Sequence, residues 1–278
     1  MNLQKNNSAS LRPRPNSDLS ILENPLEWLK DFQRGWLATY EKTGKPDWNL
    51  YTWPRNHFAP SGSGVELSES RLMLISSAGG YLADEHIPFN ERNPLGDYSI
   101  RVIPADTPLT EIEFANTHYN HEFVNQDPQV LLPLKHLKDM VSEGIIGEIA
   151  PVFVSFNGHQ PNVIRVVKEL VPAIIRVAKK HAVQAALLIP VSPLCIQSIA
   201  LTARGLEMNN VATTMTCCSA GLASSTAPPR ITITKLPRGS TLGMPDDNTQ
   251  QRRILEATLA LLEADAPLGK EYLNEKGM

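Results

Sequence analysis

Read as a pattern of apolar and polar positions, the chain changes character several times. Residues 1–20 are rich in Asn, Ser, Pro and Arg with no apolar period, which predicts a disordered tail. Trp28, Leu29, Phe32 and Trp36 then recur at helical spacing, so a short amphipathic helix is expected to pack on the body. Between residues 44 and 66 the period is lost, while Trp48, Tyr51, Trp53 and Phe58 sit among Pro, Gly and Asn. That mixture predicts an irregular arm wrapped over the domain and held by its rings, with a pocket lid as the alternative. Beyond residue 70, short apolar runs alternate with helical stretches. Strands are expected at 71–76, 100–104, 151–156, 185–191, 211–216 and 230–235. Leu134, Leu137 and Val141 mark a helix opening at Pro133 and closing at Gly144. Val163, Val166, Val167, Leu170, Ile174, Ile175 and Ala178 trace one face of another, which Pro172 should kink. A closing helix carries Ile254, Leu255, Leu259 and Leu262, with Asp246 or Asp247 as its cap.

This alternation predicts an α/β fold: a mainly parallel sheet with helices on both faces, preceded by an irregular N-terminal arm. The domain reading is a tail at 1–20, a helix and wrapping arm at 21–69, and an α/β domain at 70–278. The formal charge of −3 gives no electrostatic footprint for nucleic acid. No apolar run approaches the ~20 residues that span a bilayer, and the N-terminus lacks the apolar core of a secretory signal. Three cysteines, two of them adjacent, make no disulfide framework. A cytoplasmic protein follows, with neither membrane nor nucleic acid as a partner.

Candidate chemistry gathers where strands end. The run from Ala185 to Val191 feeds Ser192-Pro193-Leu194-Cys195 and then an apolar-periodic segment, which reads as buried strand, tight loop and helix. Cys195 so placed lies near a helix N-terminus, where the dipole favours a thiolate; packing beneath a loop is the plainer role. The loop at Ser77-Ala78-Gly79-Gly80 could cradle an anion, although no full phosphate-binding motif is present. His118 and His121, with Glu122 and Asp127 nearby, raise a metal site, but two firm ligands fall short of the three or four needed. A loop pair acting as acid and base, or holding a carboxylate, competes with a structural role. His159 follows a turn and points either to the same pocket or to the surface. Cys217 and Cys218 end the next strand, as a redox partner for Cys195 or as buried packing. Arg230 and Arg238 could clamp a carboxylate.

Several stretches together resemble the selenoprotein B family of glycine, sarcosine, betaine and D-proline reductases. They are the run from Arg101 to Pro108, the histidine loop from His118 to Asp127, Leu132-Pro133-Leu134 with Leu137, Glu143-Gly144 and Ile146-Gly147, and Ser155-Phe156-Asn157-Gly158. To these add the segment from Pro190 to Ser198, then Pro228-Pro229-Arg230, Pro237-Arg238-Gly239 and Gly243-Met244-Pro245, so that the likeness covers roughly residues 70–265. The family's redox motif is selenocysteine or cysteine, two residues, then cysteine. Ser192 and Cys195 fall on its two ends, and a serine there departs from the pattern. So do Asn120, where an aspartate is expected, and His159, where an aromatic is.

The resemblance implies thiol- or selenol-based reductive cleavage of a C–N or related bond in a small amino acid or amine. Position 192 would attack, Cys195 resolve, and His118 and His121 bind the carboxylate or move protons. Substrate contacts are expected from Gly79, Gly80, Tyr119, His159, Cys217 and Arg238. No metal or organic cofactor is implied; a dithiol donor protein or a second subunit is, and a homo-oligomer is expected. Three readings of Ser192 stay open. It replaces a selenocysteine or cysteine; or it is natural and Cys195 acts alone or with Cys217 or Cys218; or redox chemistry has been lost and a binding subunit remains. A cofactor-independent cysteine racemase or isomerase is the alternative enzyme.

Overall fold

Strand β1 (Arg71–Ser76) shows how the core is built. All but its first residue are buried, yet its side chains part by parity. Leu72 and Leu74 join one apolar cluster, Met73 and Ile75 the other. A strand buried on both faces belongs in a parallel sheet between two helical layers. A computed structural model describes residues 20–115 and 118–277. The tail expected over 1–20 therefore lies, but for Ser20, outside the described residues, as do Asn116 and Thr117.

Ahead of β1, α1 (Pro25–Phe32) passes through a π turn (Gln33–Leu37) into α2 (Ala38–Thr43). After β1 come β2 (Gly80–Leu82), β3 (Ile100–Pro104), β4 (Ile112–Phe114), the short α3 (Glu122–Gln126) and α4 (Leu134–Ser142). Next are β5 (Glu148–Ile149), β6 (Val152–Phe156), α5 (Val163–Arg165), a π turn (Val166–Leu170) and α6 (Val171–Lys180). The chain closes with β7 (Ala185–Ile189), α7 (Pro193–Glu207), β8 (Ala212–Cys217), α8 (Ala220–Thr226), β9 (Ile231–Lys235), α9 (Asn248–Ala260) and β10 (Lys270–Lys276).

The main sheet runs β10-β9-β8-β7-β1-β6-β3, with β5 also pairing β1. Its pairs are parallel except β3 with β6. β2 and β4 form a separate antiparallel pair. The fold is thus α/β with a mainly parallel sheet, as the alternation predicts. Trp28, Ile174, Ile199 and Leu206 place α1, α6 and α7 over one face. Leu137, Met140, Ile254 and Leu255 place α4 and α9 over the other. The chain crosses from β1 to β6 on one side and continues from β7 to β10 on the other. At such a switch point a crevice opens beyond the carboxyl ends of the strands.

Pro172 does not break its helix. The π turn just before α6 absorbs the proline, which has no N–H to give and whose ring crowds the preceding turn. The N-terminal arm is held by polar contacts as well as by rings. Trp28 stacks on Phe32 at 4.8 Å and Phe32 on Trp36 at 5.4 Å, with Tyr51 set edge-on to both Phe32 and Trp36. The fully buried Arg204 donates to the carbonyls of Ser20, Ile21, Phe58 and Ala227. Phe58 docks through that carbonyl, and its ring is exposed. Among the described residues no helix is long and apolar enough to cross a membrane.

Candidate active site

Strand β7 delivers the chain into the crevice, and Pro190 and Pro193 limit what the connection can do. Ser192 is extended (φ −146°, ψ 173°) at the N-cap of α7, with Pro193 in the first turn, where its missing N–H costs nothing. Its hydroxyl does not cap the helix. Instead Ser192 Oγ and Cys195 Sγ share a hydrogen bond of 3.0 Å. The loop is braced from beneath. Thr241 Oγ1 donates to the Pro190 carbonyl at 2.6 Å, and Ser77 donates its N–H and its Oγ to that of Ile189 at 3.0 and 3.2 Å.

Cys195 is fully buried, and its sulfur rests on Gly158 in the turn after β6. A Cβ on Gly158 would stand 2.2 Å from Cys195 Sγ, so only glycine admits the thiol there. Ser192 faces a cavity of about 740 Å³ whose lining includes Trp48, Trp53, His118, His159 and Arg238, whereas Cys195 lies behind that lining. The two residues are therefore layered, hydroxyl at the cavity wall and thiol beneath it.

The lining also holds a pair of imidazoles. The rings of His118 and His159 stack at 3.7 Å and 11°, and Trp48 meets His159 edge-on at 5.6 Å. Burial, and then the charge of His118, push His159 down to about 4, against the Pro94 carbonyl that accepts its N–H. His159 is thus neutral at pH 7, with one nitrogen committed to Pro94 and the other holding a lone pair. His118 is also held below the ordinary imidazole range by burial, which Glu91 opposes. His118 itself is exposed.

The other expected site residues divide. Arg238 lines the cavity. Tyr119 is buried, bonds the Ala78 carbonyl at 3.2 Å and lies close enough to Cys195 for the two to interact; burial first, then that thiol, raises its phenol. His121 heads α3, its ring 4.6 Å from that of Tyr119, and does not line the cavity. Gly79 gives its N–H to the Phe156 carbonyl and Gly80 belongs to β2, so the structure brings neither to the cavity as an anion cradle. Cys217 is buried in the apolar cluster that does not contain Cys195; burial pushes it up to about 12, while the Ser219 carbonyl accepts its thiol at 3.5 Å. Cys218 is exposed, and the nearby Arg238 offsets part of the rise that burial gives its thiol.

Arg230 is not a carboxylate clamp for a ligand, because it is buried against Glu207 at 3.0 Å and bonds the Ala264 carbonyl. Asp127 accepts from Gln251 and from the Asp246 N–H, tying the histidine loop to α9. Among the described residues no group of three or more His, Cys, Asp or Glu could hold a metal ion. Sequence reasoning passed over Glu91, Arg92 and Pro94, which also line the cavity. Their only signal was a charged pair in a turn-rich loop, which is also how a solvated loop looks. The role of Gly158 is set by a contact with Cys195 across the chain and left no local mark.

The family model for glycine/sarcosine/betaine reductase selenoprotein B matches residues 53–191, half of the chain, and ends one position before Ser192. The chain is 26% identical over 206 residues to the D-proline reductase subunit gamma of Acetoanaerobium sticklandii, over 74% of this chain and 83% of that protein. It is 22% identical over 217 residues to the glycine reductase complex component B subunit gamma of Peptoclostridium litorale, over 76% of this chain and 49% of that one. To the sarcosine reductase complex component B subunit beta of Peptoclostridium acidaminophilum it is 29% identical over 101 residues, over 36% of this chain and 23% of the other. The chain thus spans about half of the glycine reductase subunit and about a quarter of the sarcosine one. No solved structure matches. A parallel α/β sheet, a strand-to-helix turn at its switch point and a matched family over half the sequence lead to one conclusion: the chain belongs to the glycine/sarcosine/betaine reductase selenoprotein B family.

Proposed function

We propose that the cavity binds a small amino acid or amine for thiol-based reductive cleavage of a C–N bond, with position 192 as the attacking position and Cys195 as the resolving thiol. The observation that carries this reading is the layering: Ser192 at the cavity wall, Cys195 buried behind it, 3.0 Å apart. A thiol or selenol at 192 would sit at the N-terminus of a long helix, which favours its ionised form.

The chemistry balances in two displacements. The thiolate or selenolate at 192 attacks the substrate carbon, and the C–N pair leaves with nitrogen, which takes a proton. The Cys195 thiolate then attacks the sulfur or selenium at 192; the bond to carbon breaks, and its pair stays on carbon, which takes a proton. Two thiols, or a selenol and a thiol, have become one bond between 192 and 195, and a dithiol donor restores them. His118 fits the proton transfers, with His159 behind it as a fixed acceptor. His121 does not reach the cavity, which shifts the proton role onto His118.

With serine at 192 the first displacement has no nucleophile of sufficient acidity and the cycle cannot close. The chain as it stands would then bind substrate without reducing it, as a subunit of a larger reductase. The racemase alternative needs a second thiol across the substrate from Cys195, and neither Cys217, buried in the core, nor Cys218 is among the residues that line the cavity. The test is anaerobic incubation with a dithiol and candidate amines, measuring amine released. Ser192→Cys should turn over where the parent chain does not, and Ser192→Cys/Cys195→Ala should lose that gain. Equal release by all three proteins would overturn the assignment.

A further inference from the structure

We infer that the substrate of this site is an α-amino acid carrying a planar aromatic ring, rather than one of glycine size. The inference rests on the reading of the cavity as a substrate site and goes beyond it in naming the class.

Size is the first argument. About 740 Å³ falls within the ~300–1,000 Å³ range of sites that take drug-sized ligands.

The walls are the second argument. Trp48 packs on Trp36 and Tyr51 on its inner side, at 5.3 and 5.5 Å, yet is 40% exposed and lines the cavity. A large ring left open to water beside its own aromatic stack is a surface that a ligand can cover. Trp53 lines the same space. So does His118, whose ring is backed on one face by His159 and belongs to an exposed residue. A planar group laid on Trp48 would extend an aromatic assembly that already includes Trp36, Tyr51, His159 and, stacked on His159, His118.

Charge is the third argument. Arg92 and Arg238 line the cavity, and neither has an ion-pair partner among the described residues. A guanidinium holds a carboxylate through two parallel hydrogen bonds. Glu91 supplies the opposite charge for an ammonium group. Aromatic walls with two cations and one anion among them suit a ring-bearing zwitterion.

The experiment is calorimetric titration of the full chain without reductant, so that thiol chemistry plays no part. The probes are glycine, sarcosine and D-proline against both enantiomers of phenylalanine, tryptophan and histidine. At least one ring-bearing probe should bind tenfold or more tightly than every ringless one, and Trp48→Ala should abolish that margin while the variant still unfolds cooperatively. Trp53→Ala provides a second variant if Trp48→Ala fails to fold. Ringless probes binding as tightly as the ring-bearing ones would overturn the inference. Ring preference in the parent chain without turnover in Ser192→Cys would sink the reductive reading and leave the ring pocket standing. Turnover of glycine-sized amines without ring preference would do the reverse.

Discussion

Gly158→Ala probes the packing that places Cys195. Gly158 is not among the glycines with positive φ, so alanine brings no backbone strain and its whole effect is steric. The added Cβ would lie 2.2 Å from Cys195 Sγ, 2.9 Å from Cys195 Cβ and 3.0 Å from Ser77 Cβ. All three neighbours belong to short, buried side chains close to the backbone, so none can swing away. Overpacking of this kind costs about 1–3 kcal/mol, and the 2.2 Å contact puts this case at the upper end. Cys195→Ala removes the sulfur and leaves contacts of 2.9 and 3.0 Å, so in that background the same change should cost about 1 kcal/mol. The assay is urea unfolding of the parent, both single variants and the double variant, comparing midpoints at constant slope. A coupling of about 1–2 kcal/mol that relieves the double variant is expected, since the two sites touch. Additive effects, or a cost of Gly158→Ala below about 0.5 kcal/mol, would show that the thiol does not rest on Gly158.

Three further outcomes follow from the same geometry. His159 titrates near 4 when folded and near 6.5 when unfolded, so between those values the unfolded state holds more protons and stability falls as pH drops from 6.5 towards 4, by up to about 3 kcal/mol; that part of the pH slope in urea unfolding should vanish in His159→Gln. Arg230→Met leaves the Glu207 carboxylate buried without its partner and should cost about 3–5 kcal/mol in the same assay. Alkylation of the native protein, followed by peptide mass spectrometry, should modify Cys218 first and leave Cys217 untouched until the chain unfolds, because Cys217 is buried with its thiol held near 12.

The strands with the longest apolar runs were legible because a buried parallel strand leaves little choice of residue. β1 falls at Arg71–Ser76, as its sequence predicts. β10 was not legible: Lys270–Lys276 is a charged edge strand with little to bury, so it carries no apolar period. β2 and β5, at three and two residues, are too short for a period to show. In α8, the small residues of Ala220-Gly221-Leu222-Ala223-Ser224-Ser225-Thr226 carry no helical apolar period, so no element was expected there. At the site, the Ser192–Cys195 turn was legible because strand, proline and helix are contiguous. The stacking of His118 on His159 was not, since it joins two loops 41 residues apart in sequence. The loops at Gly79 and Arg230 misled for a shared reason. A glycine or an arginine at a strand end looks the same whether its hydrogen bonds go to a ligand or, as here, to the protein's own carbonyls and carboxylate.

On the proposed reading, positions 192 and 195 act as one redox pair, the first at the cavity wall and the second behind it. The most direct measurement is mild oxidation of Ser192→Cys under native conditions, followed by non-reducing peptide mapping. An intrachain disulfide between the introduced thiol and Cys195 is expected, formed ahead of any bond to Cys218 and reversed by a dithiol. An introduced thiol that stays free, or that pairs with Cys218 while Cys195 remains reduced, would contradict it.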